Sequence, residues 1–134
     1  MINVYDSLDV TVIADGVITT GLADSDAVTI GQNEESFSKQ VGIQGDVTFS
    51  ETNDRTGFAT VVLKATSPAV QQYEELSRRK GENALFAFQV IDANTNGLTS
   101  GGTKCRVKKS AEKSYSNEEG TREYEIEIAD YTSK

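Results

Sequence analysis

Nine residues, Phe58-Ala59-Thr60-Val61-Val62-Leu63-Lys64-Ala65-Thr66, run straight into Ser67-Pro68. The run is dense in apolar and β-branched side chains, the composition of a strand paired on both sides. Ser67 then offers a capping hydroxyl, and Pro68 suits the first helical position, where its missing N–H costs nothing. A central strand that ends in a helix start calls for a sheet with a helix laid against it.

The spacing predicts that helix over residues 67–80. Ala69, Val70, Tyr73 and Leu76 fall on one face. Glu74 and Glu75 precede Arg78 and Arg79 by four residues, giving two favourable pairs. The basic triplet Arg78-Arg79-Lys80 complements the negative helix end, and Gly81 can close it. This reads as a charge-balanced helix terminus and not as a nucleic-acid patch.

Strand signals fill most of the remaining chain. Leu8, Val10 and Val12 alternate with polar residues, and Asp15-Gly16 predicts a hairpin over residues 8–22. Phe37–Ile43 and Gly45–Ser50 read as short strands broken at Gly42 and Gly45. The turn Glu51–Gly57 precedes the central strand, and Leu85–Ile91 is another apolar strand. Residues 23–36 read as an acidic loop or a mobile hairpin tip, with only Val28-Thr29-Ile30 strand-like.

Thr103–Lys109 and Arg122–Ala129 read as arms of a long hairpin. One face carries Lys104, Arg106 and Lys108 against Glu123, Glu125 and Glu127; the other carries Cys105, Val107, Tyr124, Ile126 and Ile128. A register with Arg106 opposite Glu125 pairs Lys108 with Glu123 and Lys104 with Glu127. It also sets Val107 against Tyr124 and Cys105 against Ile126. Opposite charges across a ladder contribute roughly 0.2–1 kcal/mol each. This charge ladder is either a solvated face, or one that meets a neighbouring subunit or lines an aqueous channel. About eight strands and one helix predict a mainly β fold, a β-sandwich or partly open barrel with a flanking helix.

A chain of 134 residues fits one domain over residues 1–134. Only 37% of it is hydrophobic, so its core is modest. Burial in a domain this polar is often completed by oligomerisation. The net charge of −8 opposes nucleic-acid binding, which draws on basic groups that displace counterions. That acidity serves solubility, or lets DNA pass without sticking. The sole cysteine, Cys105, allows no intrachain disulfide and reads as inert core, which suits a reducing cytoplasm. No apolar run reaches membrane-spanning length, and the N-terminus lacks the pattern of a signal peptide.

Enzyme chemistry finds little purchase. Without histidine the commonest general base and transition-metal ligand are missing. The acids Asp24, Asp26, Glu34 and Glu35 sit in a glycine-flanked segment, whereas glycoside hydrolysis needs two carboxyls fixed across a cleft. Asp92-Ala93-Asn94-Thr95-Asn96-Gly97 matches the first half of a calcium loop, but position twelve is Thr103 where a bidentate acid is required. A polar inter-strand turn is favoured there, and no cofactor or metal is expected.

The order of several segments resembles the tail tube proteins of contractile-tailed, myovirus-type bacteriophages. They are Tyr5-Asp6-Ser7-Leu8-Asp9-Val10-Thr11-Val12 with Asp15-Gly16, then Val41-Gly42-Ile43-Gln44-Gly45-Asp46-Val47 through Ser67-Pro68, Gly101-Gly102-Thr103-Lys104 and Ile128-Ala129-Asp130-Tyr131-Thr132. The resemblance implies two packed antiparallel sheets with one flanking helix. Six copies would continue one sheet from subunit to subunit, forming a ring with an inner β-barrel. Stacked rings would form the tube inside a contractile sheath, a conduit for genome ejection. It further implies partners among sheath, baseplate, tail terminator and tape measure proteins, with DNA in the lumen bound without specificity and no membrane insertion. The place implied is the virion tail, assembled in the host cytoplasm. Glu34, Glu35 and Asp46 are expected in the lumen. Asp24, Asp26, Asn53, Asp54 and Arg55 are expected at contacts between rings, with residues 1–6 as an N-terminal arm. Lys104, Arg106, Lys108, Glu123, Glu125 and Glu127 are candidates for a subunit interface. The resemblance does not separate a phage tail tube from a type VI-like secretion tube, and it leaves a tail adaptor or completion protein as an alternative to the favoured tube subunit. A calcium- or glycan-binding β module is a more distant alternative.

Overall fold

The computed structural model describes residue 2, residues 4–23 and residues 27–134. Asp24 and Asp26 lie outside the described residues. The strands are β1 (Val10–Ala14), β2 (Val17–Ile18), β3 (Val28–Gln32), β4 (Phe37–Val41), β5 (Val47–Glu51) and β6 (Gly57–Lys64). After the helix α1 (Ala69–Arg78) come β7 (Phe86–Asp92), β8 (Thr99–Val107), β9 (Thr121–Ile128) and β10 (Thr132–Ser133). The fold is mainly β, with two antiparallel sheets and one helix, as the strand pattern predicts.

The larger sheet runs β2-β1-β7-β8-β9-β6-β3, with β10 added beside β8. It does not close, so β2 and β3 are its edges. β4 and β5 form a second sheet by themselves. The strand expected to be central is central: β6 lies between β9 and β3, and pairs with β9 over its whole length from Gly57↔Ile128 to Lys64↔Thr121. The Asp15-Gly16 turn takes positive φ at both residues, 52° and 79°, as a type I′ hairpin requires.

Alternation along the strands sends one set of side chains inward. Val12, Ala14, Ala59, Val61, Leu63, Phe86, Phe88, Cys105, Val107, Tyr124, Ile126 and Ile128 bury there with Ala69, Tyr73 and Leu76 of the helix. The Tyr73 ring stacks on Tyr124 at 5.4 Å between centroids, fixing α1 over β9. The Tyr73 hydroxyl shares a buried 2.7 Å hydrogen bond with the Thr19 hydroxyl. Burial pushes the Tyr73 phenol up to about 12, against the opposing pull of Thr19. Burial likewise pushes the Cys105 thiol up to about 11, which keeps it an unreactive core group.

Helix α1 begins at Ala69, one residue after the expected Pro68, which takes the cap position with φ −64° and ψ −22°. The Ser67 hydroxyl accepts the Ala69 N–H at 3.2 Å and itself donates to the Thr20 carbonyl. The helix ends two residues short of Lys80, because Arg79 is already extended (φ −67°, ψ 151°). Of the two expected ion pairs, Glu75–Arg79 forms at 3.1 Å. Glu74 turns instead to Ser110, Tyr124 and Lys113.

The β8–β9 register differs from the expected one by two residues. Arg106 stands opposite Glu127, Val107 opposite Ile126 and Cys105 opposite Ile128. Lys108 therefore meets Glu127 at 3.0 Å and Glu125 at 3.9 Å, not Glu123. Lys104 passes Glu127, and its carbonyl accepts the Ala129 N–H at 2.9 Å. A slip of two leaves every side chain on its own face, so patterning cannot select between the registers. A bulge does: the β7–β8 register shifts between Phe86 and Phe88, and the Asp130 carboxylate takes the freed Thr103 and Lys104 N–H groups at 3.0 Å each. The segment expected as an acidic loop over residues 23–36 contains β3, paired with β6 from Val28↔Val61 to Gln32↔Gly57.

Candidate functional site

β4 and β5 form a hairpin with every residue exposed. Gly42 and Gly45, expected to break the strands, make its turn: the Gly42 N–H donates to the Asp46 carbonyl at 2.7 Å, and Gly45 adopts φ 89°. In register, Phe37, Lys39 and Val41 face Glu51, Phe49 and Val47. All six share one side, since directly paired residues point the same way. Ser38, Gln40, Thr48 and Ser50 take the other. The hairpin is thus amphipathic, with Phe37 and Phe49 in edge-to-face contact at 5.2 Å. Phe49 remains 62% exposed and Ile43, in the turn, fully so. A lone two-stranded hairpin is marginally stable in water, and its apolar side faces solvent.

The hairpin is joined to the large sheet by a hydrogen-bonded neck. Thr52 N–H donates to the Ser36 carbonyl at 3.0 Å, and Asn33 N–H to the Thr56 carbonyl at 3.1 Å. The Asn33 amide donates to the Thr56 hydroxyl at 2.9 Å. The Asp54 carboxylate accepts both the N–H and the hydroxyl of Thr56, which holds its pKa below the ordinary carboxylate value. The Arg55 carbonyl accepts the Tyr131 N–H at 3.1 Å.

Beside the neck lies the free edge of β3, Val28-Thr29-Ile30-Gly31-Gln32. The Asn33–Thr56 bond and the bond from Val62 N–H to the Ala27 carbonyl set the pairing phase. In that phase the N–H and C=O groups of Val28 and Ile30 point away from β6, toward the open edge. Strand edges are ordinarily protected by lysine, proline or an inward-pointing charge. β3 carries none of these.

The expected site residues divide between these features. Glu34 and Glu35 are exposed at the neck, next to Asn53, Asp54 and Arg55, so two of the expected groups meet there. Asp46 is at the hairpin tip, about 17 Å away at the usual rise of a five-residue strand. Lys104, Arg106, Lys108, Glu123 and Glu125 are exposed and Glu127 half-buried, on the face of the large sheet opposite its core. Sequence reasoning missed the apolar residues Phe37, Val41, Val47 and Phe49 as a surface: Val47 and Phe49 are spaced by two, but Lys39 interrupts the alternation between Phe37 and Val41.

The calcium-like loop has another use. The Asp92 carboxylate accepts the Asn94 N–H at 3.0 Å in a local turn. The Asn94 side chain pairs with Asp6, accepting its N–H at 2.8 Å and donating to its carbonyl at 3.0 Å. Among the described residues no group of three or more His, Cys, Asp or Glu side chains converges as a metal site would need. No described helix is long and apolar enough to cross a membrane.

The chain matches no protein-family model and no curated protein in sequence. Its fold is found in contractile injection machines. It superposes on a chain of an extracellular contractile injection system, the PVC sheath–tube complex in the extended state, with TM-score 0.64 and 8% identity, covering 96% of this chain and 90% of that one. The tube-terminating cap of the anti-feeding prophage gives TM-score 0.63 and 9% identity, covering 100% and 93%. A PVC sheath/tube terminator in the extended state gives 0.60 and 10%, covering 97% and 96%. At these identities the likeness is one of fold.

Proposed function

We propose that this protein is a structural subunit of a contractile tail or injection apparatus, a tube protein whose copies join edge to edge into rings and stack inside a sheath. The observation that carries this reading is the β4–β5 hairpin, whose Phe37, Val41, Val47 and Phe49 are left exposed by the described residues. A second copy supplies an occupant. The same chain has a sheet edge at β3 without the usual protection, and closing a ring of sheets removes such edges. Near-complete coverage of neighbours from sheath–tube and tube-end structures supports the same assignment.

In this arrangement six copies form a ring, as in the tube proteins that the sequence resembles. The β3 edge meets the next subunit, and the hairpin seats against an adjoining ring. Glu34, Glu35 and Asp46 are candidates for the bore, where carboxylates repel DNA phosphates. Asn53, Asp54 and Arg55 accompany the hairpin neck into the inter-ring contact, and the Lys/Glu ladder is a further interface candidate. Sheath, baseplate and terminator proteins are the partners of this reading.

A tube-ending cap is the second reading, favoured by the match to the anti-feeding prophage cap over the whole of this chain. Negative-stain electron microscopy across a concentration series, with and without sheath and baseplate proteins, separates the two. Hollow tubes or stacked six-fold rings support the tube subunit. Single rings that halt the growth of a cognate tube support the cap. Persistent monomers under all these conditions overturn both.

A further inference from the structure

Residues 108–120 connect β8 to β9 without a helix or strand, and 109–120 lie beyond the Lys108–Glu125 backbone bond. Connections of this length in a compact fold are usually functional or disordered. This one is fastened at both ends. Near its start the Ser110 hydroxyl reaches both oxygens of Glu74 on α1, at 2.8 and 2.7 Å, and the Lys113 ammonium lies 3.3 Å from Glu74 Oε1. The same Oε1 accepts the Tyr124 hydroxyl of β9 at 2.8 Å. Near its end Glu119 Oε1 accepts the Thr66 hydroxyl at 2.7 Å and the Thr66 N–H at 3.3 Å. Between these points only Ala111 is buried, and Tyr115 lies exposed with its ring 5.5 Å from the Arg122 guanidinium.

We propose that residues 109–120 are a detachable clasp over the seam between α1 and β9, fastened by the ionised carboxylates of Glu74 and Glu119 and released by acid. Three donors from two chain segments converge on Glu74. The ionised group only accepts, so each of them can be served. Protonation turns one oxygen into a donor, removes the ion pair with Lys113 and weakens the charge-assisted bonds. Ser110 and Tyr124 share one oxygen, so losing the clasp there uncovers the Tyr124 hydroxyl.

The groups facing Glu74 are Lys113 and Ser110 from the clasp and Tyr124 from β9; along α1 itself Arg78 stands one turn on, and Arg79 is engaged by Glu75 and Asp15. Facing Glu119 are Thr66 and, from β6, Lys64. Partial burial, the largest influence on Glu74, raises its pKa. Bonds from Ser110, Tyr124 and Lys113 outweigh that and hold it below the ordinary value. The Thr66 bonds do the same for Glu119. The clasp therefore stays shut at neutral pH and opens only in acid.

Hydroxyl-radical footprinting of the full chain from pH 7 down through the carboxylate range tests this, with Phe88 as the internal core reference. Tyr124 oxidation is expected to rise severalfold below about pH 4 while Phe88 stays constant. Glu74→Gln is expected to give the same rise at pH 7. The double variant Ser110→Ala/Lys113→Ala removes only donors on the clasp, and it decides the matter if Glu74→Gln does not fold. Tyr124 that stays protected in the double variant at every pH overturns the proposal. So does Phe88 labelling that rises in step with Tyr124, because that reports unfolding of the whole domain.

Discussion

Asp130 holds Thr103 twice, taking its backbone N–H at 3.0 Å and its hydroxyl through the second carboxylate oxygen. With the Lys104 N–H on the first oxygen, one side chain satisfies both amides that the β8 bulge turns away from β7. Replacing Asp130 by Ala leaves those donors to water or to nothing. The expected cost is about 1–3 kcal/mol of folding stability, read from urea denaturation midpoints. Asp130→Asn keeps the shape and one acceptor oxygen, and should cost less.

The same carboxylate sets part of the acid limit of the fold. Desolvation raises the pKa of Asp130, but the bonds from Thr103 and Lys104 prevail and hold it below its ordinary 3.8. Glu74 is lowered as well, from 4.5. A carboxyl that titrates lower in the folded chain contributes stability that is full above its unfolded pKa and is lost as pH falls through the folded value. Melting temperature should therefore be flat from pH 8 to about 5 and decline below about 4. Asp130→Asn should show a shallower decline than wild type.

Gly101 adopts φ 146°, and a Cβ there would sit 2.0 Å from the Phe88 carbonyl oxygen. Gly101→Ala is expected to disrupt the β7–β8 pairing. Loss of at least about 3 kcal/mol, or failure to recover folded protein, is the expected outcome. Wild-type stability in this variant, measured by calorimetry, would show that the bulge can relax.

The Tyr73–Thr19 hydroxyl bond joins α1 to the residue following β2, inside the protein. Tyr73→Phe or Thr19→Val alone strands one buried hydroxyl and should cost about 1 kcal/mol or more. The double variant should cost less than the sum of the two. A thermodynamic cycle that closes additively would mean the bond is not made.

Phe49→Ser should leave thermal stability of the isolated chain almost unchanged, because Phe49 contributes nothing to the large core. Under the proposed ring assembly its effect should fall on association, with fewer or no rings in micrographs than the unaltered chain forms under the same conditions. A variant that assembles normally would remove the hairpin from the interface.

Much of this fold is legible in the chain, because its signals are local. Ser67-Pro68 marks the helix start, Asp15-Gly16 marks the first hairpin, and alternation assigns Cys105, Val107, Tyr124, Ile126 and Ile128 to the core. What stays hidden is set by distant contacts. The β8–β9 register depends on Asp130 reaching back to Thr103, and alternation is blind to a slip of two. Glu74 is spaced to pair with Arg78, yet three donors brought in by β9 and the clasp outcompete it. The Asp92–Gly97 loop has a calcium pattern but uses its Asn94 to hold Asp6. The candidate surface was half visible: its acids and turn were evident, while the apolar side of β4–β5 looked like ordinary strand until the sheet excluded it.

Among the described residues each chain has one such hairpin, and the proposed head-to-tail stack would use every copy's hairpin except those at one terminus. The two ends of such a stack would then be chemically unlike: one would show a rim of phenylalanine and valine set among Lys39 and Glu51, and the other would not. Such a filament has an intrinsic direction, and a plug made for one end has no reason to fit the other.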